Sequence, residues 1–535
     1  MTGVVHAEAM TGRSSSGSRK TPRAGVVGTS YTLSLIGLSA TPVLVEAVQL
    51  NGLPSTSIVG LADTAVNEAR ERLRAGFLTI GVPWPNRRLT VNLSPADLAK
   101  SGTGFDLAIA TAILGSQGFA ALGPETAVIG ELGLDGTVRG VRGVLPMALE
   151  AQRLGFTRLV VPAANAAEAE LVEGLHVTAV RHLAEVAILL GVDVAVPGGL
   201  DEIEGELFEE TAVGAGDLRD VCGQDDAIWA LEVAAAGGHH VLMTGAPGVG
   251  KSMLAHRFPA ILPDLTSRQA VEVAAIRSLG GKPASGLPVR PPLSSPHHTA
   301  TTAALVGGGS GVPKPGAITS AHHGVLFCDE FPEFSKQAIQ ALRQPLEQGW
   351  IDLDRVHAHV RYPARFQLIA AANPCRCGHL DDPGGACTCT SRDRMTYKAS
   401  LGGPVRDRID ISLRLRRPSK AALRQGGTVS SAEVHERVVE ARERQLARCF
   451  GSTGGESGEL NARLPGPWLR KNTPLPESVV TEFGDALSRG RLSMRGVDRI
   501  IRLAWTVADL SGHDSPTADD IHVAITLRKQ GATNE

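Results

Sequence analysis

The sequence predicts an α/β chain of several domains that ends in a helical segment. Three observations carry this. Short apolar runs rich in Val, Ile and Leu alternate with Ala-rich stretches of helical period through residues 27–415. A glycine-rich loop, Gly245 to Ser252, joins a short apolar run to a helical pattern. Beyond residue 416 apolar side chains recur at helical spacing. At 535 residues the chain is too long for one core, and about two to four domains are expected.

Taken in order, residues 1–25 are polar, Ser-rich and basic, the composition of a disordered tail. Residues 26–194 form a first α/β domain. Its opening stretch, "YTLSLIGLSATPVLVEAV", is broken by Thr, Ser and Pro and reads as a strand pair rather than a signal peptide. "RRLTVNLSP", "TAVIGEL" and "RLVVP" read as strands; "FDLAIATAILGSQG" and "VLPMALEAQRLG" read as helices. Residues 195–216 are Gly-rich and acidic, as a linker would be. A second α/β block covers 217–415. Within 416–535, "AEVHERVVEARERQLARCF", "PESVVTEFGDALSRG", "SMRGVDRIIRLAWTVADLSG" and "TADDIHVAITLRK" are helical patterns, the first two separated by a Gly/Ser/Pro-rich loop near 451–467.

Composition narrows the function. A net charge of −2 provides no global basic field, so a nucleic-acid contact must come from a local patch or a pore. Aromatic residues are only 4% of the chain, too few for broad base-stacking platforms. No apolar run reaches the roughly eighteen residues a membrane span needs. Seven cysteines in so long a chain are no disulfide scaffold, which fits a cytoplasmic protein.

The segment "HHVLMTGAPGVGKSMLAHRF" carries the strongest chemistry. Gly245, Ala246, Pro247, Gly248, Val249, Gly250, Lys251 and Ser252 form a phosphate-binding pattern in a strand–loop–helix setting. Glycines let successive backbone N–H groups turn toward phosphates, and the helix N-terminus adds its dipole. Lys251 brings a cation to the β and γ phosphates of ATP, and Ser252 a hydroxyl to Mg²⁺. In "GVLFCDE", Asp329 follows a buried apolar run and is placed to hold Mg²⁺, with Glu330 placed to polarise water. Cys328, inside the run, reads as a core residue. "FQLIAAAN" ends at Asn373, where a strand C-terminus brings it to the ligand crevice beside the γ-phosphate. Phosphoryl transfer also needs cations on the developing charge. Arg406 and Arg408 in "GGPVRDRIDI" and Arg495 in "LSMRGVDRIIRLAW" are the candidates, with surface ion pairs the competing reading. Arg408 is chosen to act on a neighbouring subunit and Arg495 within its own.

"NPCRCGHLDDPGGACTCT" gathers four of the seven cysteines: Cys375, Cys377, Cys387 and Cys389. Four thiolates can close a structural Zn²⁺ site, although the one-residue gaps are tighter than usual; a redox pair is the alternative. A catalytic zinc is not expected, since four protein ligands leave no open position.

These motifs, together with "NGLPSTSIVGLADTAVNEARER", "RRLTVNLSPADLAKSG", "PHHTATTAALVGGG", "GVLFCDEFPEF" and "YPARFQLIAAANPCRCG", make the chain resemble the YifB/ComM group of AAA+ ATPases, also described as magnesium-chelatase-like. The resemblance spans about residues 26–530. It implies a Lon-protease-like N-terminal domain, an AAA+ core with a helix-2 insert and a pre-sensor-1 hairpin, a helical C-terminal lid, and a homo-hexameric ring. It further implies a branch-migration helicase acting on single-stranded or branched DNA in recombination or natural transformation, with recombination proteins as partners. Carried over residue by residue, Asn373 is sensor 1, Arg408 sits at the finger position in "VRDRID" and Arg495 at sensor 2. Val405 and Arg406 replace two leucines of the family's finger motif, so Arg406 stays an alternative finger.

The ring reading directs attention to two loops that would face a pore. "VGGGSGVPKPGAITSAHH" carries Lys314, and "QGWIDLDRVHAHVRYPARF" reads as a hairpin with Arg355, His357, His359 and Arg361 near its turn. Six copies on one axis would make a local basic field. His297 and His298 read as structural histidines. The stretch "GELGLDGTVRGVRGVLPMALEAQRLGFTRLVVPAANAAEA" resembles the Lon peptidase domain. However, "AKSGTGFDLAI" puts Gly104 or a neighbour where the nucleophilic serine belongs, and "GVLPMALEA" lacks the lysine, so no peptidase activity is expected. A chelatase-type motor subunit and a Lon-like protein-remodelling ATPase are the competing functions.

Overall fold

The computed structural model describes residues 25–529 except 61–63, 97, 99, 101, 199–215, 283–285, 310–312, 356–357, 382–386, 401–402, 453–459, 474 and 491. The expected N-terminal tail up to residue 24, most of the expected linker, and His357 therefore lie outside the described residues. The chain divides into two compact units: residues 1–32, 42–139 and 180–201, and residues 33–41, 140–179 and 202–535. This division differs from the expected 26–194 domain by placing 33–41 and 140–179 in the larger unit. The reason is local. Helix Val144–Arg153 packs on helix Ser267–Leu279, where Gly143 N–H donates to the Ser278 carbonyl at 3.1 Å and Leu145 N–H to Ser278 Oγ at 3.4 Å.

Five strands of the first sheet, most of whose residues belong to the smaller unit, are β1 (Val27–Ile36), β2 (Ser39–Leu50), β3 (Ser55–Val59), β4 (Arg88–Ser94) and β5 (Thr126–Val128), in the order β3-β4-β2-β1-β5. The opening stretch is thus the strand pair its sequence suggested. β2 and β4 pair antiparallel, Val45 with Leu93 and Ala47 with Val91, all fully buried; their alternation with more exposed neighbours fixes the register. Helix Asp106–Ser116 is buried along its whole length. It approaches β1 so closely that a Cβ on Gly28 would lie 2.0 Å from the Ala112 carbonyl. The run "TAVIGEL", expected as one strand, breaks after Val128 and resumes only at Glu131–Leu132. Gly130 instead gives its N–H to Gly104 O and accepts from Leu107 N–H, at 3.0 and 3.1 Å, which removes it from a ladder.

The larger unit holds a five-stranded sheet: β6 (Val241–Thr244), β7 (Leu293–Ser294), β8 (Val325–Cys328), β9 (Gln367–Ala372) and β10 (Ile411–Arg414). The order is β7-β8-β9-β6-β10, and each adjacent pair is parallel. β8 and β9 are buried at every position, which explains why their sequences read as continuous apolar runs without alternation. The strand order reverses around β6, so the crevice beyond the C-terminal ends of β6, β8 and β9 is where a ligand site is expected.

The four helical patterns of the C-terminal segment appear as Ser431–Ser452, Glu477–Ser488, Met494–Ser511 and Ala518–Lys529. Ser493 caps the third by accepting the Gly496 N–H at 3.1 Å, and Gly512 ends it at φ +79°. The first packs against helix Asp225–Gly237. There Arg442 donates twice to the Ala235 carbonyl, at 3.0 and 2.7 Å, near that helix's negative end.

Candidate functional site

Strand β6 delivers the chain into a loop whose turns need glycine: Gly248 has φ +78° and Gly250 φ +101°. Helix Lys251–Arg257 starts directly after it. Lys251 is 8% exposed, and its Nζ donates to Gly245 O at 2.7 Å, Ala246 O at 3.0 Å and Asn373 Oδ1 at 3.0 Å. Burial lowers its pKa from the ordinary lysine value, against the pull of the Asp329 and Glu330 charges. Ser252 Oγ donates to Asp329 Oδ2 at 2.7 Å. The structure therefore brings Gly245 to Ser252, Asp329, Glu330 and Asn373 into one crevice at the C-terminal ends of β6, β8 and β9. A cation with oxygen ligands fits between Ser252 and Asp329, whose oxygens already converge there.

Glu330 holds φ +49°, a conformation few side chains other than glycine adopt. Its N–H is fixed by Asp329 Oδ1 at 2.9 Å, and its Oε2 lies 3.0 Å from Nδ1 of His298. His298, read from sequence as a structural histidine, is thus the neighbour of the candidate water-polarising carboxylate. A second residue the sequence reading missed is Gln224. Its amide donates to Val249 O at 3.2 Å and Arg416 O at 2.7 Å, tying the phosphate loop to the wall of a cavity of about 690 Å³. Asp225, Leu413, Arg414, Glu482 and His522 also line that cavity. His298 lies in the family motif "PHHTATTAALVGGG", but nothing in that motif points to Glu330, and Gln224 carries no spacing pattern, so the fold reveals both contacts.

The two candidate arginines are elsewhere. Arg408 and Arg495 line a cavity of about 460 Å³ with Glu347, Arg365, Arg463 and Arg499. His240, Phe366 and Asp410, which immediately precede β6, β9 and β10, also border it, so it lies at the opposite end of the sheet from the phosphate loop. β6 alone spans about 13 Å at roughly 3.3 Å per residue. The placement does not fit the expected action of Arg495 on its own chain's phosphate loop. Arg408 is 7% exposed and pairs with Glu347 Oε1 at 2.6 Å. Arg406 is exposed.

The four cysteines of the loop converge. Cys375 Sγ lies 3.3 Å from Cys377 Sγ and 3.6 Å from Cys387 Sγ; Cys377 and Cys387 are 3.6 Å apart, and all four sulfurs lie within 4.8 Å of one another. A tetrahedral site with metal–sulfur bonds of about 2.3 Å has edges of about 3.8 Å. The separations are near that value and well beyond the roughly 2.05 Å of a disulfide. Backbone N–H groups of His379 and Thr388 point at Cys377 Sγ, and that of His379 contributes most to drawing its pKa down to about 5. Cys328 is buried, which pushes its thiol up to about 12. A second cluster, Glu272 with His322 and His323, is held by hydrogen bonds instead. His322 Nδ1 accepts the Arg365 N–H at 3.0 Å, leaving Nε2–H to donate to Glu272 at 3.1 Å.

The two loops singled out for a pore are neighbours. Lys314 lies on a short ribbon, Gly307–Gly308 with Lys314–Pro315, and Arg355 ends the first strand of the hairpin Trp350–Arg355/Ala358–Pro363. A Cβ on Gly308 would lie 3.4 Å from an Arg355 guanidinium nitrogen, and Tyr362 donates to Pro313 O at 2.6 Å. Both basic residues are exposed, whereas Arg361 is engaged by Asp352 at 2.7 Å and by the Trp350 ring at 4.9 Å. In the smaller unit, Lys100 is fully buried, with its amine donating to the Pro95 carbonyl.

Comparison with known proteins places this geometry. Residues 217–423 match the family described as magnesium chelatase, subunit ChlI; residues 45–165 match subunit ChlI of Mg-chelatase; residues 428–528 match its C-terminal part. A Mycobacterium tuberculosis protein is 42% identical over 95% of this chain and 99% of its own length. YifB of Escherichia coli is 39% identical over 93% of this chain and 96% of its own. Competence protein ComM of Haemophilus influenzae is 38% identical over 90% and 93%. The chain belongs to the YifB/ComM magnesium-chelatase-like family. A shorter likeness, 31% identity over 180 residues, links it to Lon protease 2 of Bacillus subtilis, covering 29% of this chain. Membership in this AAA+-type family accounts for a parallel sheet carrying a phosphate loop. Among the described residues, no helix is long and apolar enough to cross a membrane.

Proposed function

We propose that this YifB/ComM-family chain is an ATP-driven motor that assembles into a hexameric ring and moves single-stranded or branched DNA. The observation carrying this reading is the division of the site across the sheet. Lys251, Ser252, Asp329 and Asn373 meet at one end, while Arg408 and Arg495 gather at the other. ATP would lie on the Gly245–Ser252 loop with its base toward the Gln224 cavity, and Mg²⁺ between Ser252 and Asp329. Glu330 would orient the water, and Asn373 would fix its position beside the γ-phosphate. Arg408 and Arg495 would then serve a neighbouring subunit's phosphates, which is the chemical reason for a ring. The adjacent Lys314 and Arg355 loops would contact the DNA backbone, and a likeness to a competence protein favours DNA taken up for recombination. In this reading the four cysteines hold a structural zinc ion, and recombination proteins load the motor in the cytoplasm. The N-terminal domain is a Lon-like module without peptidase activity.

A second reading has a specific observation behind it: all three family matches carry magnesium-chelatase descriptions. A chelatase motor subunit would require a partner that presents the metal and porphyrin. The deciding experiment measures phosphate release with a four-way DNA junction, with single-stranded DNA and with an unfolded protein, against a Lys251→Ala control. Stimulation and junction unwinding by DNA alone support the motor. Stimulation only by unfolded protein selects a remodelling ATPase, and no response to either selects the chelatase reading. Mixing Lys251→Ala with Arg408→Ala subunits should restore part of the lost activity, because each supplies what the other lacks.

A further inference from the structure

We infer that a zinc ion in the Cys375–Cys377–Cys387–Cys389 site buttresses the phosphate loop, so that metal occupancy sets the loop's affinity for nucleotide. The inference rests on the zinc reading above and adds its consequence for ATP.

The cluster is tied to the nucleotide crevice at four points. Cys375 follows Asn373 by two residues, and Asn373 holds Lys251 Nζ at 3.0 Å. The turn between the first two thiolates is closed by Gly378 N–H donating to Cys375 O at 3.0 Å. Gly378, at φ +83°, sits directly on the phosphate loop: a Cβ there would meet Pro247 Cδ at 2.7 Å and Cγ at 2.8 Å. Asp381 receives Arg414 Nε at 3.2 Å, and Arg414 lines the cavity beside Gln224. Beyond the last cysteine, helix Ser391–Ser400 returns to the site. Its Arg394 donates to Cys387 Sγ at 3.4 Å, and its Tyr397 hydroxyl receives the Asn373 N–H.

Pro247 has no N–H and no side-chain donor, and its contact with Gly378 is one of packing. That packing comes from a turn whose shape depends on two thiolates sharing an ion. Four metal–sulfur bonds close the excursion between Asn373 and Tyr397 and fix both against the Lys251 end of the crevice. Without the ion the sulfurs take up protons and nothing joins them across 3.3–3.6 Å, so the turn opens and Pro247 and Asn373 lose their backing together.

The test uses the full chain. Zinc content is measured by atomic absorption, and Co²⁺ is added to metal-stripped protein to seek the thiolate charge-transfer band. Affinity is measured by titrating a fluorescent ADP. The wild type should carry one zinc per chain. Cys387→Ser with Cys389→Ser should lose the zinc and bind ADP about tenfold more weakly. Gly378→Ala should keep the zinc and still bind ADP about tenfold more weakly, because the new methyl group displaces Pro247. Absence of both zinc and the Co²⁺ band overturns the metal site itself. A stripped protein and a zinc-loaded Gly378→Ala variant that both bind ADP within about twofold of wild type overturn the buttress and leave the metal site standing. Should the double cysteine variant fail to fold, the zinc-loaded Gly378→Ala variant decides the coupling alone.

Discussion

Asp410→Asn tests how the arginine cavity is built. Asp410 is 4% exposed. Its Oδ1 accepts Arg499 Nη1 at 2.8 Å, and its Oδ2 accepts the His240 N–H at 3.1 Å and faces His239 Nδ1 at 3.5 Å. Arg499 Nη1 also donates to the Arg408 carbonyl at 2.7 Å, so this carboxylate anchors the backbone of the candidate finger. Asparagine keeps the size but has one oxygen; whichever way the amide turns, an NH₂ faces either Arg499 or the His240 N–H. Breaking a buried pair costs about 3–5 kcal/mol, and the Arg408 carbonyl that remains for Arg499 places this case near 3 kcal/mol. At about 2 °C per kcal/mol for a unit this large, the melting temperature should fall by about 6 °C. Burial opposes ionisation of Asp410, yet His239 and Arg499 hold its pKa well below the carboxylate range. A depressed folded value stabilises above the unfolded value of about 3.9, and that contribution is lost as pH falls through the folded value; the variant should lack this part of the acid sensitivity. Calorimetry at pH 7 and pH 3 measures both effects. A shift under about 1 °C, or an unchanged acid response, would show that the pair is not the anchor described.

Three further outcomes are expected. His298→Ala frees Glu330 from a part-exposed contact worth about 1 kcal/mol, so basal phosphate release should rise about fivefold; an unchanged rate counts against a restraining role. Hydrogen bonding from Arg408 lowers the pKa of Glu347. Their pair is therefore complete above about pH 4.3 and lost as pH falls through the folded value, so the melting difference between wild type and Glu347→Gln should be present at pH 7 and fade toward pH 3. Lys314→Ala and Arg355→Ala should each weaken single-stranded DNA binding evenly across sequences and reduce the salt slope by about 0.7 per lost phosphate contact, read by anisotropy at several salt concentrations.

What was legible in sequence follows from where the constraint is local. The phosphate loop could be read because its glycines, lysine and serine act through one contiguous turn. Strands β8 and β9 could be read because burial on both faces leaves no alternation to mistake for something else. The four cysteines gave ligand types, and the fold alone shows that their sulfurs converge. Gln224, His298 and Glu347 were not legible, since each acts on a residue far away in sequence (Val249, Glu330 and Arg408) and no sequence pattern points to that partner. The "TAVIGEL" run misled because propensity favours one strand, while Gly130 bonds instead to the turn at Gly104 and Leu107. Arg495 misled for a third reason. Its position in the chain resembles a sensor, but which end of the sheet a helix reaches is set by packing.

That last point decides how the proposed motor would be controlled. An arginine side chain reaches about 7 Å from its Cα, given about 1.5 Å per bond, while a four-residue strand already separates the two ends of the sheet by about 13 Å. Neither Arg408 nor Arg495 can therefore reach the phosphates held by Lys251 in the same subunit without dismantling the sheet between them. On the proposed reading, a lone subunit can bind ATP yet lacks the cations that the transition state needs. Hydrolysis would then wait on assembly, and the Glu347 pair would hold Arg408 folded in until a neighbour's phosphates replaced that carboxylate. The same geometry would make the arrangement directional, because each subunit would give its arginines to one neighbour and receive them from the other. A heterologous contact of this kind must close into a ring or run on as a filament, and a closed ring is the form that sets the Lys314 and Arg355 loops of every subunit around one axis.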